Sequence, residues 1–176
     1  MLIVGCLALA ACGRQDDSVS PKKDMALYLE PNGSFSCQAP SQWRVLEKQG
    51  GAQRVTFLGP PDGPKPFAAG ITVYYYQKSG SDFASPQAYA AAHRLLAGKT
   101  GPLTEKPWKG SPAWEFSATR TMPIMHRVGQ TKTEKEDTVL IPAREGFYAL
   151  VYSAAESVHA ENAPLFRTLV ESLSLK

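Results

Sequence analysis

The chain has 176 residues, 43% of them hydrophobic and 20% charged, which excludes a disordered chain and allows one domain with a sizeable core. A formal net charge of +3 falls far below a nucleic-acid footprint and neither supports nor excludes an acidic surface as partner. The three cysteines do not make a disulfide framework, because each has a different expected fate along the chain.

Met1–Cys12 reads MLIVGCLALAAC, and residues 2–9 are almost wholly apolar, the length of a secretory h-region. As a helix such a run rises only about 16 Å, too short for a hydrocarbon core of about 30 Å. It ends in Leu9-Ala10-Ala11-Cys12, which resembles the bacterial lipobox. The resemblance implies cleavage before Cys12 and acyl chains on that residue. Residues 1–11 are then the signal peptide, and Cys12 is the lipidation site and the membrane anchor. Several acyl chains anchor stably where one is marginal. No Lys or Arg precedes the apolar run, a departure from such signals that a start codon placed too late would explain.

Residues 13–24, GRQDDSVSPKKD, lack apolar periodicity and read as a tether. As coil they span roughly 17–21 Å, which keeps the domain close to the membrane. By resemblance to enterobacterial sorting, Gly13 after Cys12 gives no inner-membrane retention signal, so the default destination is the outer membrane, facing the periplasm. Cys6 leaves with the signal peptide, and Cys37 remains as the free thiol of the mature chain.

Residues 25–176 read as one globular domain, mostly of strands. Phe35 and Cys37 alternate with polar neighbours, as in a half-buried strand that points Cys37 inward. Strands at 43–47 and 54–58 are separated by Gly50-Gly51, and residues 59–64 (GPPDGP) form a loop. The runs 71–76 and 147–152 are apolar in both phases, so both are central strands covered on each side. Residues 113–119 and 138–142 are further strands, and the charged run 131–137 reads as a solvated hairpin tip.

Ser85 as N-cap, Pro86 at the first position and Gly98 past the end define one helix. Its expected buried stripe is Tyr89, Ala92, His93 and Leu96. A second helix is expected from about Pro164 to Leu173, capped near Asn162 or Ala163, with Phe166, Leu169, Val170 and Leu173 on its apolar face.

Phe35-Ser36-Cys37-Gln38-Ala39-Pro40 followed by Trp43, the helix at 85–97, the run Gly146–Ser153 and the closing Phe166-x-x-Leu169-Val170-Glu171-Ser172-Leu173 resemble the PsbP-like superfamily, whose bacterial members include DcrB-type envelope lipoproteins. The resemblance covers about residues 26–176 and rests on structural motifs. It implies an α+β fold, a mainly antiparallel sheet sandwiched between helices. It transfers no functional residue.

Catalytic signatures fail on context. Lys99-Thr100-Gly101 and Ser20-x-x-Lys23 match elements of penicillin-binding proteins, but the serine lies in the tether and the triplet reads as a helix C-cap turn. A phosphate loop ending at Gly98-Lys99-Thr100 would need glycine where His93 stands. His93, His126 and His159 lack metal-ligand spacing, although His159 lies near Glu156 and Glu161. Neither a nucleophile elbow nor a pair of catalytic carboxylates stands out. Trp108, Lys109 and Trp114 are the candidate partner-binding residues, since aromatics beside lysine and glycine can form a contact platform.

These readings point to a non-catalytic accessory or binding module on the envelope, with no cofactor and no metal, a protein partner, and a small ligand left undefined. The alternatives are an envelope hydrolase whose site assembles only in three dimensions, and a small-ligand or lipid carrier. Cys12→Ala should abolish incorporation of labelled palmitate and block lipoprotein-type maturation; label retained on the variant would refute Cys12 as the anchor.

Overall fold

The computed structural model describes residues 24–48, 53–59, 68–123 and 131–176. The signal peptide, Cys12, Ser20, the tether up to residue 23, the Gly50-Gly51 break, most of the 59–64 loop and His126 lie outside the described residues. In chain order the elements are β1 (Met25–Leu29), β2 (Phe35–Pro40), β3 (Arg44–Lys48), β4 (Gln53–Leu58), β5 (Ala69–Gln77), α1 (Pro86–Leu96), β6 (Lys99–Thr100), β7 (Thr104–Trp108), β8 (Ser111–Pro123), β9 (Thr131–Ala143), β10 (Gly146–Ala155), α2 (Glu156–Ser172) and β11 (Ser174–Leu175).

An antiparallel sheet runs β3-β4-β5-β10-β9-β8-β6, with β7 continuing the outer edge alongside β8. The two strands expected at the centre, β5 and β10, pair with each other from Gly146↔Gln77 to Ala154↔Ala69. Their alternating side chains feed separate cores. On one face Ile71, Val73, Tyr148, Leu150 and Tyr152 pack with α2 and β2. On the other, Tyr76, Phe147 and Ala149 pack with Tyr89 and Ala90 of α1. A small sheet, β1-β2-β11, completes the α2 side through Phe35, Cys37 and Ala39. Helices therefore lie on both faces of a mainly antiparallel sheet, the expected α+β arrangement. The β9–β10 turn closes against β5 so tightly that a Cβ at Gly146 would clash with the Tyr76 carbonyl oxygen.

Three sequence expectations need correction. The charged run 131–137 is the first half of a 13-residue strand, not a hairpin tip. Its charges are met across the ladder and by α2, as in Arg120–Glu136 at 3.5 Å and Lys135–Glu156 at 3.0 Å. Helix α2 starts at Glu156, eight residues before the expected point, so Pro164 lies inside it and not at its first turn. Asn162 does not cap it but donates to the Val158 carbonyl within the helix. A proline inside a helix costs about 3 kcal/mol, and here burial of Phe166, Leu169 and the neighbouring Leu173 outweighs it.

The third concerns α1. Its Ser85 cap is present, accepting from the Ala88 N–H at 3.2 Å, and Pro86 occupies the first turn. The buried face is Tyr89 and Ala90, however, while Ala92 and His93 are only half-buried and Leu96 is 77% exposed. Tyr89 takes the centre of an aromatic cluster with Tyr76, Phe83 and Phe147, which rotates the leucine end of the helix outward. Leu96→Ala should therefore change stability by less than about 0.5 kcal/mol, whereas Leu169→Ala, fully buried on the inner face of α2, should cost about 2–5 kcal/mol in denaturant unfolding. Equal losses at the two sites would contradict this packing.

Candidate partner-binding groove

The hairpin joining β7 and β8 turns through Lys109 and Gly110, both at positive φ (46° and 82°), the geometry that matches strand twist. Glycine adopts this region freely; Lys109 is held there by its side chain. Its Nζ donates to the Leu173 carbonyl at 2.6 Å and lies 5.2 Å from the centre of the Trp108 ring. The Trp108 indole N–H donates to the Val170 carbonyl at 3.0 Å. Both carbonyls belong to the last turn of α2 and its C-cap, where a cation is favoured; Val170 also accepts from the Leu173 N–H at 3.4 Å. Trp108 and Lys109 thus tie the hairpin to the helix end.

Trp114 does not join them. It packs with Phe116 and the α1 cluster, while its neighbour Ala113 and Trp108 belong to the α2 core. The three residues singled out from sequence therefore occupy opposite faces of the sheet, two at one place and one at another.

Beside Trp108 an open groove of about 710 Å³ runs between α2 and the β7–β9 part of the sheet. Phe166, Val170 and Val139 give it an apolar lining. Lys106 and Glu115, ion-paired with each other, line it from β7 and β8, and exposed Arg167 and Glu171 line it from α2. Sequence reasoning passed over these four charged residues. Their one signal, Arg167 four residues before Glu171 on the polar face of a helix, is shared by most solvated helices.

Asp137 also lines the groove, with its Oδ2 3.2 Å from His159 Nε2. The nearby Tyr152 hydroxyl donates to the His159 backbone carbonyl at 2.8 Å, not to the imidazole, and burial pushes its pKa above the ordinary phenol value. It is a protonated structural donor. Glu156 pairs with Lys135 instead of approaching His159, and among the described residues no group of three or more His, Cys, Asp or Glu is arranged to hold a metal.

The remaining sequence candidates are distributed elsewhere. Cys37 is 1% exposed in the α2-side core, and burial pushes its thiol up to about 12, so it stays protonated and weakly nucleophilic at neutral pH. His93 stacks on Tyr89 with ring centroids 3.8 Å apart, and its Nδ1 lies 3.0 Å from the Tyr89 carbonyl. A carbonyl only accepts, so Nδ1 carries the proton. Lys99-Thr100 is a short edge strand against Ala118 and Thr119, not a helix-capping turn.

No family model matches the chain, and no curated protein matches it. Solved structures do. The cyanobacterial PsbP (CyanoP) of Synechocystis sp. PCC 6803 is similar at 12% identity and TM-score 0.56, over 96% of this chain and 99% of that one. The Ran-binding protein Mog1p of Saccharomyces cerevisiae is similar at 10% identity and TM-score 0.56, over 86% and 95%. LpqN of Mycobacterium tuberculosis, described as involved in cell envelope biogenesis, is similar at 14% identity and TM-score 0.52, over 86% and 90%. The chain spans about half (49%) of a further similar structure, from Bacteroides thetaiotaomicron, at 10% identity and TM-score 0.55. The fold is the PsbP/Mog1-like α+β fold. Identities this low show the fold alone.

Trp108→Phe keeps an aromatic side chain but removes the donor to Val170 and part of the indole's packing, so it should cost at least about 0.5–1.5 kcal/mol in denaturant unfolding. Unchanged stability would mean that the indole does not hold the end of α2.

Proposed function

We propose that this chain is a lipid-anchored accessory module of the bacterial envelope, related to the DcrB-type lipoproteins, which binds a protein partner along the α2 groove and does not turn over substrate. The observation that carries this reading is the groove itself. It is open along its length, with an apolar floor beside the pinned Trp108 and charges of both signs on its two sides. Such a surface suits a protein segment, because fixed charges steer encounter and set register while the exposed parts of Trp108 and Val170 supply apolar contact. The acyl anchor at Cys12 and the tether of residues 13–24 let the domain search nearby surfaces, on the outer membrane and facing the periplasm.

The fold likeness is compatible with this. One similar structure is described as Ran-binding and another as involved in cell envelope biogenesis. The protonated state of Cys37 and the engagement of Tyr152 with backbone weigh against nucleophilic catalysis by either group.

A photo-crosslinking residue at Glu171 should trap a discrete partner in intact cells. The pair Lys106→Gln and Arg167→Gln should reduce that adduct about tenfold, roughly 1.4 kcal/mol, at a nearly unchanged melting temperature, because exposed ion pairs add little stability. Hydrolysis of an envelope substrate that a single polar substitution in the groove abolishes would replace this reading with the hydrolase. Extraction of labelled phospholipid by the purified domain would replace it with the carrier.

A further inference from the structure

β3 is the outermost strand of the large sheet, at the end away from β6 and β7, and every one of its residues is exposed. Its inner side pairs with β4 from Arg44↔Leu58 to Lys48↔Arg54. Among the described residues no backbone group pairs with its outer side, so it presents a row of free N–H and C=O groups. Side chains opposite each other across a ladder share a face, and the register divides β3 accordingly. Val45 and Glu47 stand opposite Phe57 and Val55, on the α2 face of the sheet. Arg44, Leu46 and Lys48 stand opposite Leu58, Thr56 and Arg54, on the α1 face. Val45 (40%) and Leu46 (41%) are therefore exposed on opposite faces, each flanked by β4 on one side and by no described strand on the other. What both lack is the next strand.

We infer that β3 takes up an extended acidic segment of another protein as an added strand. In strand addition the main-chain hydrogen bonds supply affinity and alternate side chains supply selectivity. Charge chooses the occupant. On the α1 face the edge reads cation, apolar, cation along Arg44, Leu46 and Lys48. Arg44, Lys48 and Arg54 form no ion pair among the described residues, and Lys48 stands directly opposite Arg54. Like charges in that position are destabilising, so a carboxylate arriving beside Lys48 relieves a repulsion already present. Glu47, the one acid of the strand, is on the other face, where its Oε1 accepts from the Tyr28 hydroxyl at 2.6 Å. A complementary strand therefore alternates acidic, apolar and acidic residues opposite Arg44, Leu46 and Lys48, and sets an apolar residue opposite Val45.

A second copy of this chain does not meet that pattern. In an antiparallel two-fold pairing centred on Leu46, Arg44 of one copy stands opposite Lys48 of the other, twice over. The charges that admit an acidic strand thus bar self-pairing, a common use of basic residues at sheet edges. The opposite end of the sheet is closed to strand addition, because β6 has only two residues and β7 carries Pro107, which has no N–H to give. The α2 groove lies at that far end, beside β7–β9, so the two contacts are independent. With the groove proposed above, the domain holds one segment at each end of the large sheet.

The test follows backbone hydrogen exchange of the full chain in neutral detergent by mass spectrometry. The probe is the peptide acetyl-Thr-Glu-Thr-Val-Val-Glu-Thr-amide at millimolar concentration. Its controls are the same peptide with lysine in place of glutamate, and the acidic peptide with every backbone amide N-methylated. The acidic peptide should slow exchange in β3 several-fold and leave β7 unchanged, and neither control should protect β3. Arg44→Glu plus Lys48→Glu should reverse the preference, so that the lysine peptide protects and the acidic one binds about tenfold more weakly. Protection of β3 by the N-methylated peptide overturns strand addition, since charge alone then suffices. Equal protection by the acidic and lysine peptides overturns the acidic partner, and no protection by either overturns the surface. Protection of β3 that grows with protein concentration in the absence of peptide overturns the inference in favour of a second copy. None of these outcomes bears on the α2 groove, so the two readings fail separately.

Discussion

Everything in this fold follows from one strand that has no solvent side. Phe147, Tyr148, Ala149 and Leu150 are consecutive and nearly inaccessible, and β10 lies between β5 and β9, which are also buried over much of their length. A strand of this kind must be covered twice. One cover is α1; the other is α2 together with the β1-β2-β11 sheet. The connections that bring these covers into place also create the surfaces available for binding.

The two covers are unequal. On the α2 side a 17-residue helix and a second sheet close over a large core, and the hairpin carrying Trp108 and Lys109 fastens the helix end. On the α1 side an 11-residue helix is held mainly by Tyr89 among other aromatic rings. The sheet next to it keeps a mostly buried carboxylate, Glu136, 3.5 Å from Arg120. Burial holds Glu136 above the usual carboxylate range, against the opposing pull of Arg120 and His93. Its stabilising contribution is therefore complete below the unfolded-state pKa and is lost as pH rises through the folded one. The small sheet brings a compensating economy: Glu30 is buried at the β1–β2 turn but accepts from Asn32 Nδ2 and from both the N–H and hydroxyl of Ser34.

The same inequality separates the surfaces by character. The groove beside α2 lies between that helix and the β7–β9 part of the sheet, floored by core residues and rimmed by solvated charges. At the β1–β3 edge the two sheets end side by side, joined by the Tyr28–Glu47 hydrogen bond.

The two-faced strands, the Ser85-Pro86 helix start and the inward phase of Cys37 could all be read from the sequence, because each depends on residues adjacent in the chain or spaced by a fixed period. The PsbP-like arrangement followed from the same local motifs. The start of α2 could not be read, since Ala155 offers no capping side chain and Pro164 imitates a first turn; only the burial of Phe166, Leu169 and Leu173 decides it. The exposure of Leu96, the separation of Trp114 from Trp108, the groove charges and the meeting of the β1 and β3 edges were likewise decided by tertiary structure. Each depends on which face of the sheet an element covers, and period alone gives a residue its phase but does not tell it what lies opposite.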